Sequence, residues 1–196
     1  MGNTQINIRP GRQADAPAIA RAVIMAVGDE IALSLAGSAE RRHLVDETFT
    51  SLAARTDSQY SYLNTLVAET PDGEIAGLIV SYDGADLHRL RRAFIREANE
   101  VLGIHFDENK MDDETSPDEI YLDSLAVFPE FRGHQLGRRL IEAAAEHHAA
   151  SGKPLGLLCD PDNPRAQHIY EKLGFKTVGR RPFAGVMMHH MTRCKN

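Results

Sequence analysis

Hydrophobic positions change their period several times along the chain, and each change predicts an element. Residues 5–9 alternate, with Ile6 and Ile8 on one side, which predicts a short strand stopped by Pro10 and Gly11. Asp15 is a candidate cap for a helix with Ile19, Val23, Ala26 and Val27 on its apolar face, and Pro17 fits a first turn that needs no N–H partner. A second helix is predicted over residues 38–54, with Leu44, Val45, Phe49 and Leu52 inward. Residues 64–69 and 74–82 read as a hairpin around Pro71, Asp72 and Gly73, with Gly77 as a candidate bulge.

Residues 85–103 return to helical spacing through Leu87, Leu90, Phe94, Ala98 and Val101. The acidic stretch 107–119 predicts an exposed loop or flap. Residues 120–128 form the most strand-like run, and residues 135–151 a strong amphipathic helix closed by Gly152. The apolar run 155–159 predicts a buried strand. Asn163 and Pro164 open a further helix that ends at Gly174, and two closing strands follow at 175–179 and 185–191. This order predicts a mixed α/β sheet with helices on both faces.

Composition narrows the class. The 196 residues suit a single domain over 1–196, with 83–119 as an inserted helix and flap. Hydrophobic residues make up 42% and charged residues 26%, a globular balance. A net charge of -6 argues against a general nucleic-acid binder. Two cysteines, Cys159 and Cys194, make no disulfide framework and point to a reducing compartment. The start, Met1 to Ile6, lacks the apolar core of a signal peptide, and Ile6 breaks the myristoylation pattern after Gly2. No apolar run approaches a membrane span, so the expectation is a cytoplasmic protein without a membrane partner.

The candidate chemistry sits between the strand 120–128 and the following helix. The turn holds Arg132, Gly133, His134, Gln135 and Gly137, then Arg138. N–H groups at a helix start carry partial positive charge and bind anions. Gly133 lets the backbone approach a phosphate, and two arginines add charge suited to phosphate oxygens. Taken alone, the turn also reads as a plain bend. A second segment, Asn163 to Phe175, follows the next strand.

Together these two segments resemble the GNAT superfamily of acetyl-CoA-dependent N-acetyltransferases, most strongly over 120–175. Arg132 and Gly137 fill the ends of the family's phosphate-binding pattern, while Gln135 stands where its middle glycine usually lies, a departure tolerated if the local φ is negative. The resemblance implies a mostly antiparallel sheet with a central splayed pair of parallel strands. It implies that Leu125, Ala126 and Val127 border the pantetheine arm. It places pyrophosphate on the 133–138 turn, through Gly133, His134, Gln135, Leu136, Gly137 and Arg138. It implies direct attack by a primary amine of a small molecule or peptide, acetyl-CoA as cosubstrate, no metal, and a homodimer of the kind many relatives form. Tyr170 takes the position of the general acid, beside its alternative as a core aromatic with Ile169 and Leu173. Asn163 contacts the cofactor arm, caps its own helix, or does both. For the base, Asp123 comes first and Glu119 second; alternation puts both on the face of Tyr121, Leu125 and Val127. A structural hydrogen bond is the other reading of Asp123.

The remaining signals are weaker. The pairs His147–His148 and His189–His190 are poor two-ligand units, because neighbours point apart. Arg89, Arg91, Arg92 and Arg96 share a helix with Glu97 and Glu100, which predicts a solvated face. Segments 26–42 and 85–119 are expected to build the acceptor site. The competing function is a binding module that has kept the fold and lost turnover; a longer acyl donor is a third.

Overall fold

The computed structural model describes residues 6–194; Gln5 of the first predicted strand and the 1–5 stretch read for targeting lie outside them. Seven strands form one sheet in the order β1-β2-β3-β4-β5-β7-β6. They are β1 (Asn7–Pro10), β2 (Thr65–Glu69), β3 (Ile75–Asp83), β4 (Ile120–Val127), β5 (Leu155–Cys159), β6 (Lys176–Phe183) and β7 (Val186–Arg193). Every neighbouring pair is antiparallel except β4 and β5. That parallel pair stays together only at Ile120↔Leu155 and Tyr121↔Gly156 and then separates. The mixed sheet and its splayed central pair are therefore as expected.

Among the described residues, six α-helices cover the two faces. On one side lie α1 (Ala16–Val27), α2 (Asp29–Ala36), α3 (Arg42–Ala54) and α4 (Leu87–Glu97). They pack Ile19, Val23, Phe49, Leu52 and Phe94 against Leu78 and Val80 of the sheet. On the other side α5 (Leu136–His147) buries Leu136, Leu140 and Ile141 against Ile79, Leu122 and Leu157. Burying side chains of this size contributes about 1.5–3 kcal/mol each. Helix α6 (Pro164–Lys172) follows β5. No helix among the described residues is long and apolar enough to cross a membrane.

Several local expectations change. Helix α2, bounded by Gly28 and Gly37 in positive-φ conformations, had no counterpart in the predicted elements. Asp15 does not cap α1 with its side chain. Instead it accepts from the Arg12 N–H at 2.7 Å and pairs with Arg9 at 2.7 Å, which spends its oxygens on the preceding turn. The closing strands are longer than predicted. Gly77 does lie beside an irregularity in the β2–β3 register, and a Cβ there would sit 2.6 Å from the Ala126 carbonyl oxygen.

The largest change is in β4. Val80 pairs with Ser124 and Ser81 with Leu122, so Asp123 is an extra residue, a bulge. Alternation breaks there. Ile120, Leu122, Leu125 and Val127 face α5, whereas Tyr121 and Ala126 face the other helical layer. Asp123 and Glu119 therefore do not share a face with Leu125 and Val127, because the bulge reverses the parity between them.

Candidate active site

The separation of β4 from β5 opens a cleft of about 310 Å3. Leu125, Ala126, Val127, Arg132, Gly137, Arg138 and Tyr170 all line it, so the two segments singled out in the sequence meet in space. Met25 and Ala26 of α1, Ile141 of α5, and Ala166 and Ile169 of α6 complete its walls. Of these five, Ala26 falls in the 26–42 segment expected at the acceptor site, and the other four were not expected as site residues. Their contribution is packing around a gap between strands, which leaves no local motif.

Pro129 opens a short 3-10 turn at the end of β4, and the chain then enters α5. No side chain caps that helix. Its first-turn N–H groups are thus left to a ligand or water. Gly133 has φ +88° with open space where a Cβ would lie. Gln135, at the cap position, has φ +56°, which overturns the expectation that a non-glycine is accommodated here by a negative φ. Gly133, His134 and Gln135 stay exposed on the turn, while the Leu136 side chain is buried beneath it. Arg132 Nε–H donates to the Val127 carbonyl at 3.2 Å, so its guanidinium lies over the cleft and occupies one backbone acceptor of the β4 edge.

Tyr170 packs edge-on against Phe175 at 5.8 Å between ring centroids. Burial pushes its phenol up to about 12. Among the described residues its hydroxyl has no hydrogen-bond partner. Asn163 caps α6: the Ala166 N–H donates to its Oδ1 at 3.0 Å, and the Asn163 side chain does not line the cleft.

On the other face of the sheet, the Asp123 carboxylate collects three donors: Ser124 hydroxyl (2.8 Å), Tyr82 hydroxyl (3.1 Å) and Gln59 Nε2 (3.4 Å). Burial raises its pKa despite these donors, which favour the ionised form. Glu119 lies in a different network. It accepts from Thr115 Oγ1 (2.7 Å) and the Ser116 N–H (2.9 Å), and its Oε2 meets His190 Nε2 at 2.9 Å. Burial works to raise its pKa, but the bonds from His190, Ser116 and Thr115 outweigh burial and hold it below the usual carboxylate value.

A second cavity, about 710 Å3, opens between α1–α2 and the 87–114 region. Both segments expected to build the acceptor site line it: Val27, Glu30 and Leu35 from one, Arg91, Phe106 and Glu114 from the other. Arg91 is only 2% exposed, which corrects the solvated face predicted for it, although Arg89, Arg92 and Arg96 do face solvent. Its guanidinium pairs with Glu114 and donates to the Asp112 carbonyl at 2.8 Å. The acidic stretch is correspondingly not all exposed, since Glu114 is buried against that arginine and Thr115 against Glu119. Burial pushes the Glu114 carboxyl up to about 7 against the pull of Arg91.

Comparison with known proteins gives a consistent picture. The model of the acetyltransferase (GNAT) family matches residues 36–175. The chain is 34% identical over 100 residues to mycothiol acetyltransferase from Gordonia bronchialis, and 31% identical over 104 residues to that from Propionibacterium freudenreichii. These matches cover 50% and 53% of this chain but 27% and 28% of those proteins, so the chain spans little more than a quarter of the relatives' length. A crystal structure described as an acetyltransferase is 32% identical with a TM-score of 0.76, covering 97% of this chain and all of that one. An N-acetyltransferase from Staphylococcus aureus Mu50, 23% identical with a TM-score of 0.75, covers 95% of this chain and 99% of its own, and shares the fold.

Proposed function

The chain belongs to the acetyltransferase (GNAT) family, and from that premise we propose that it transfers an acetyl group from acetyl-CoA to a primary amine by direct attack. The observation that carries this reading is the cleft itself. A strand edge left unpaired beyond Tyr121 leads to an uncapped helix start flanked by Arg132 and Arg138. An extended amide chain ending in a pyrophosphate needs that sequence of features: backbone partners along a strand, then outward N–H groups and fixed positive charge.

Acetyl-CoA would supply the acetyl group already activated as a thioester. The protein's residues position the reaction and move two protons. Asp123 is the proposed base. It takes the proton lost by the amine nitrogen as the new C–N bond forms, directly or through one water. Its raised pKa supports this role, and its contact with Gln59, which lines the second cavity, supports it further. Glu119 is the weaker candidate, because three partners already occupy its oxygens and lower its basicity. Tyr170 is the proposed acid. A phenol near 12 keeps its proton at neutral pH, and its unpartnered hydroxyl borders the cleft where the C–S bond breaks. It would donate to sulfur as negative charge develops there, a role worth about 10²–10⁴-fold in rate.

The test is a thiol-release assay with acetyl-CoA and a panel of amines, run on the wild type and Tyr170→Phe. The phenylalanine variant should lose most of kcat and keep its affinity for coenzyme A. Full retention of kcat would remove Tyr170 from the mechanism. Coenzyme A binding without turnover of any amine would favour the non-catalytic binding module.

A further inference from the structure

The second cavity limits what kind of amine the proposed reaction accepts, an inference that rests on the acetyltransferase reading above. Its wall is dominated by rings: Phe49, Tyr60, Phe94, Phe106 and Phe183. Phe49, Tyr60 and Phe94 form one mutually packed cluster, with ring centroids 5.1–6.3 Å apart, and Phe106 extends it 5.5 Å from Phe94. Ile31, Leu35 and Ile104 add aliphatic surface. Arg91 and Glu114 pair with each other, and Glu30, Ser34, Lys110 and Asp112 are outnumbered by apolar side chains, so an apolar body finds more contacts there than a polyhydroxylated one.

Among the described residues, one buried side-chain polar atom in this wall lacks a partner. Gln59 is 4% exposed and lines the cavity, and its Oε1 is buried with no hydrogen bond among the described residues. Its orientation is constrained, because Nε2 donates to Asp123 Oδ2 at 3.4 Å. The flipped amide would set oxygen against carboxylate oxygen. The free atom is therefore an acceptor that calls for an N–H or O–H donor. It sits on the same side chain that contacts the proposed base. The exposed carboxylates of Glu30 and Asp112 border the cavity, while the exposed Lys110 on its lining pairs with Asp107, so the rim favours a cation approaching it.

We propose that the acceptor is a primary amine carried on a compact apolar, ring-bearing body, seated in the aromatic cavity with its N–H on Gln59 Oε1. The ring cluster sequesters the body. Gln59 holds the nitrogen next to Asp123, which takes the proton released when the C–N bond forms. The ammonium first gives one proton to solvent. The neutral amine then attacks the thioester carbonyl, and its second proton goes to Asp123 as the C–N bond forms. The C–S bond breaks with sulfur taking its proton from Tyr170, and the proton on Asp123 returns to the tyrosinate through solvent.

The probe is 2-phenylethylamine, compared with glucosamine as a hydroxylated amine of the same charge. Binding to the full-length protein is measured by calorimetry, and turnover by thiol release. The expectation is kcat/KM at least about tenfold higher for 2-phenylethylamine, since a few buried apolar groups separate substrates by that much. Gln59→Asn, whose shorter amide withdraws the acceptor, should raise its KM about tenfold with coenzyme A affinity retained. Should the buried Gln59 variant misfold, Phe106→Ala on the half-exposed cavity wall is the second variant and should raise the same KM. Glucosamine matching or exceeding 2-phenylethylamine would overturn the proposal, as would an unchanged KM in the folded variants. Calorimetry separates the two levels of inference. Binding of 2-phenylethylamine without thiol release from any amine defeats the acetyltransferase reading and leaves the cavity assignment standing. Turnover of other amines with neither binding nor reaction of 2-phenylethylamine defeats the cavity assignment alone.

Discussion

Replacing Gln135 by glycine should stabilise the protein. Gln135 holds φ +56° and ψ +20° at the start of α5, where an L side chain crowds the following carbonyl. That conformation costs about 1–2 kcal/mol for a non-glycine residue. Glycine escapes this cost but loses about 0.5–1 kcal/mol more chain entropy on folding. The Gln135 side chain is exposed and makes no capping hydrogen bond, so its removal forfeits little else. The balance is a gain of about 0.5–1 kcal/mol, or about 1–4 °C in Tm for a chain of this size. Urea denaturation with an unchanged slope measures it, with Gln135→Ala as the control. Alanine keeps the left-handed cost and should remain within about 0.5 kcal/mol of the wild type. A Gln135→Gly variant less stable than the wild type would refute the reasoning. So would an alanine variant as stable as the glycine one, because the effect would then come from losing the glutamine and not from relieving its backbone.

Three further outcomes follow from the buried groups. Gly156→Ala should cost about 1–3 kcal/mol in denaturant unfolding, because its Cβ would collide with the Glu119 carboxylate and displace it from the His190 contact. Glu114 has a folded-state pKa of about 7 against 4.5, so the native state binds the extra proton between those values and stability falls as pH rises through that window. The wild type should therefore lose up to about 3 kcal/mol relative to Glu114→Gln between pH 4 and 8; a difference that stays flat with pH would contradict the assignment. Asp123→Asn should lower kcat about 10²–10⁴-fold. It should also abolish the acid limb of the rate profile, which in the wild type lies above the usual carboxylate range because burial raises Asp123.

The parts of this fold legible in the sequence are those set by local chemistry. The α5 stripe of Leu136, Leu140 and Ala144, the Asn163–Pro164 helix start and the Gly73 turn each carry a physical signature within a few residues. The parts that were not legible depend on distant partners. Helix α2 buries only the small side chains Ala32 and Ala36, which make a faint stripe. Arg91 reads as a solvated charge until Glu114, twenty-three residues away, is folded over it. Gln135 reads as compatible with negative φ until the turn's closure imposes the other sign. Within the site, the two segments that line the cleft were legible because both flank helix starts, whereas Gln59 lies outside any motif and acquires its proposed role only by reaching Asp123.

The bulge at Asp123 explains why one strand can serve two sites. Leu125 and Val127 line the cleft from the α5 side of the sheet, while Asp123 meets Gln59 and Tyr82 on the opposite side. A strand of unbroken alternation could not satisfy both. With Leu125 and Val127 held in place, it would turn Asp123 and Glu119 under α5, among Leu136, Leu140 and Ile141. An ionised carboxylate without partners is strongly disfavoured in such a place. The extra residue reverses the parity once, and the two halves of β4 then face different chemistry: Asp123 toward Gln59 and Tyr82, Leu125 and Val127 along the cleft. The same distortion weakens pairing next to the point where β4 leaves β5. Opening of the cleft and presentation of the proposed base therefore arise from a single short stretch of backbone.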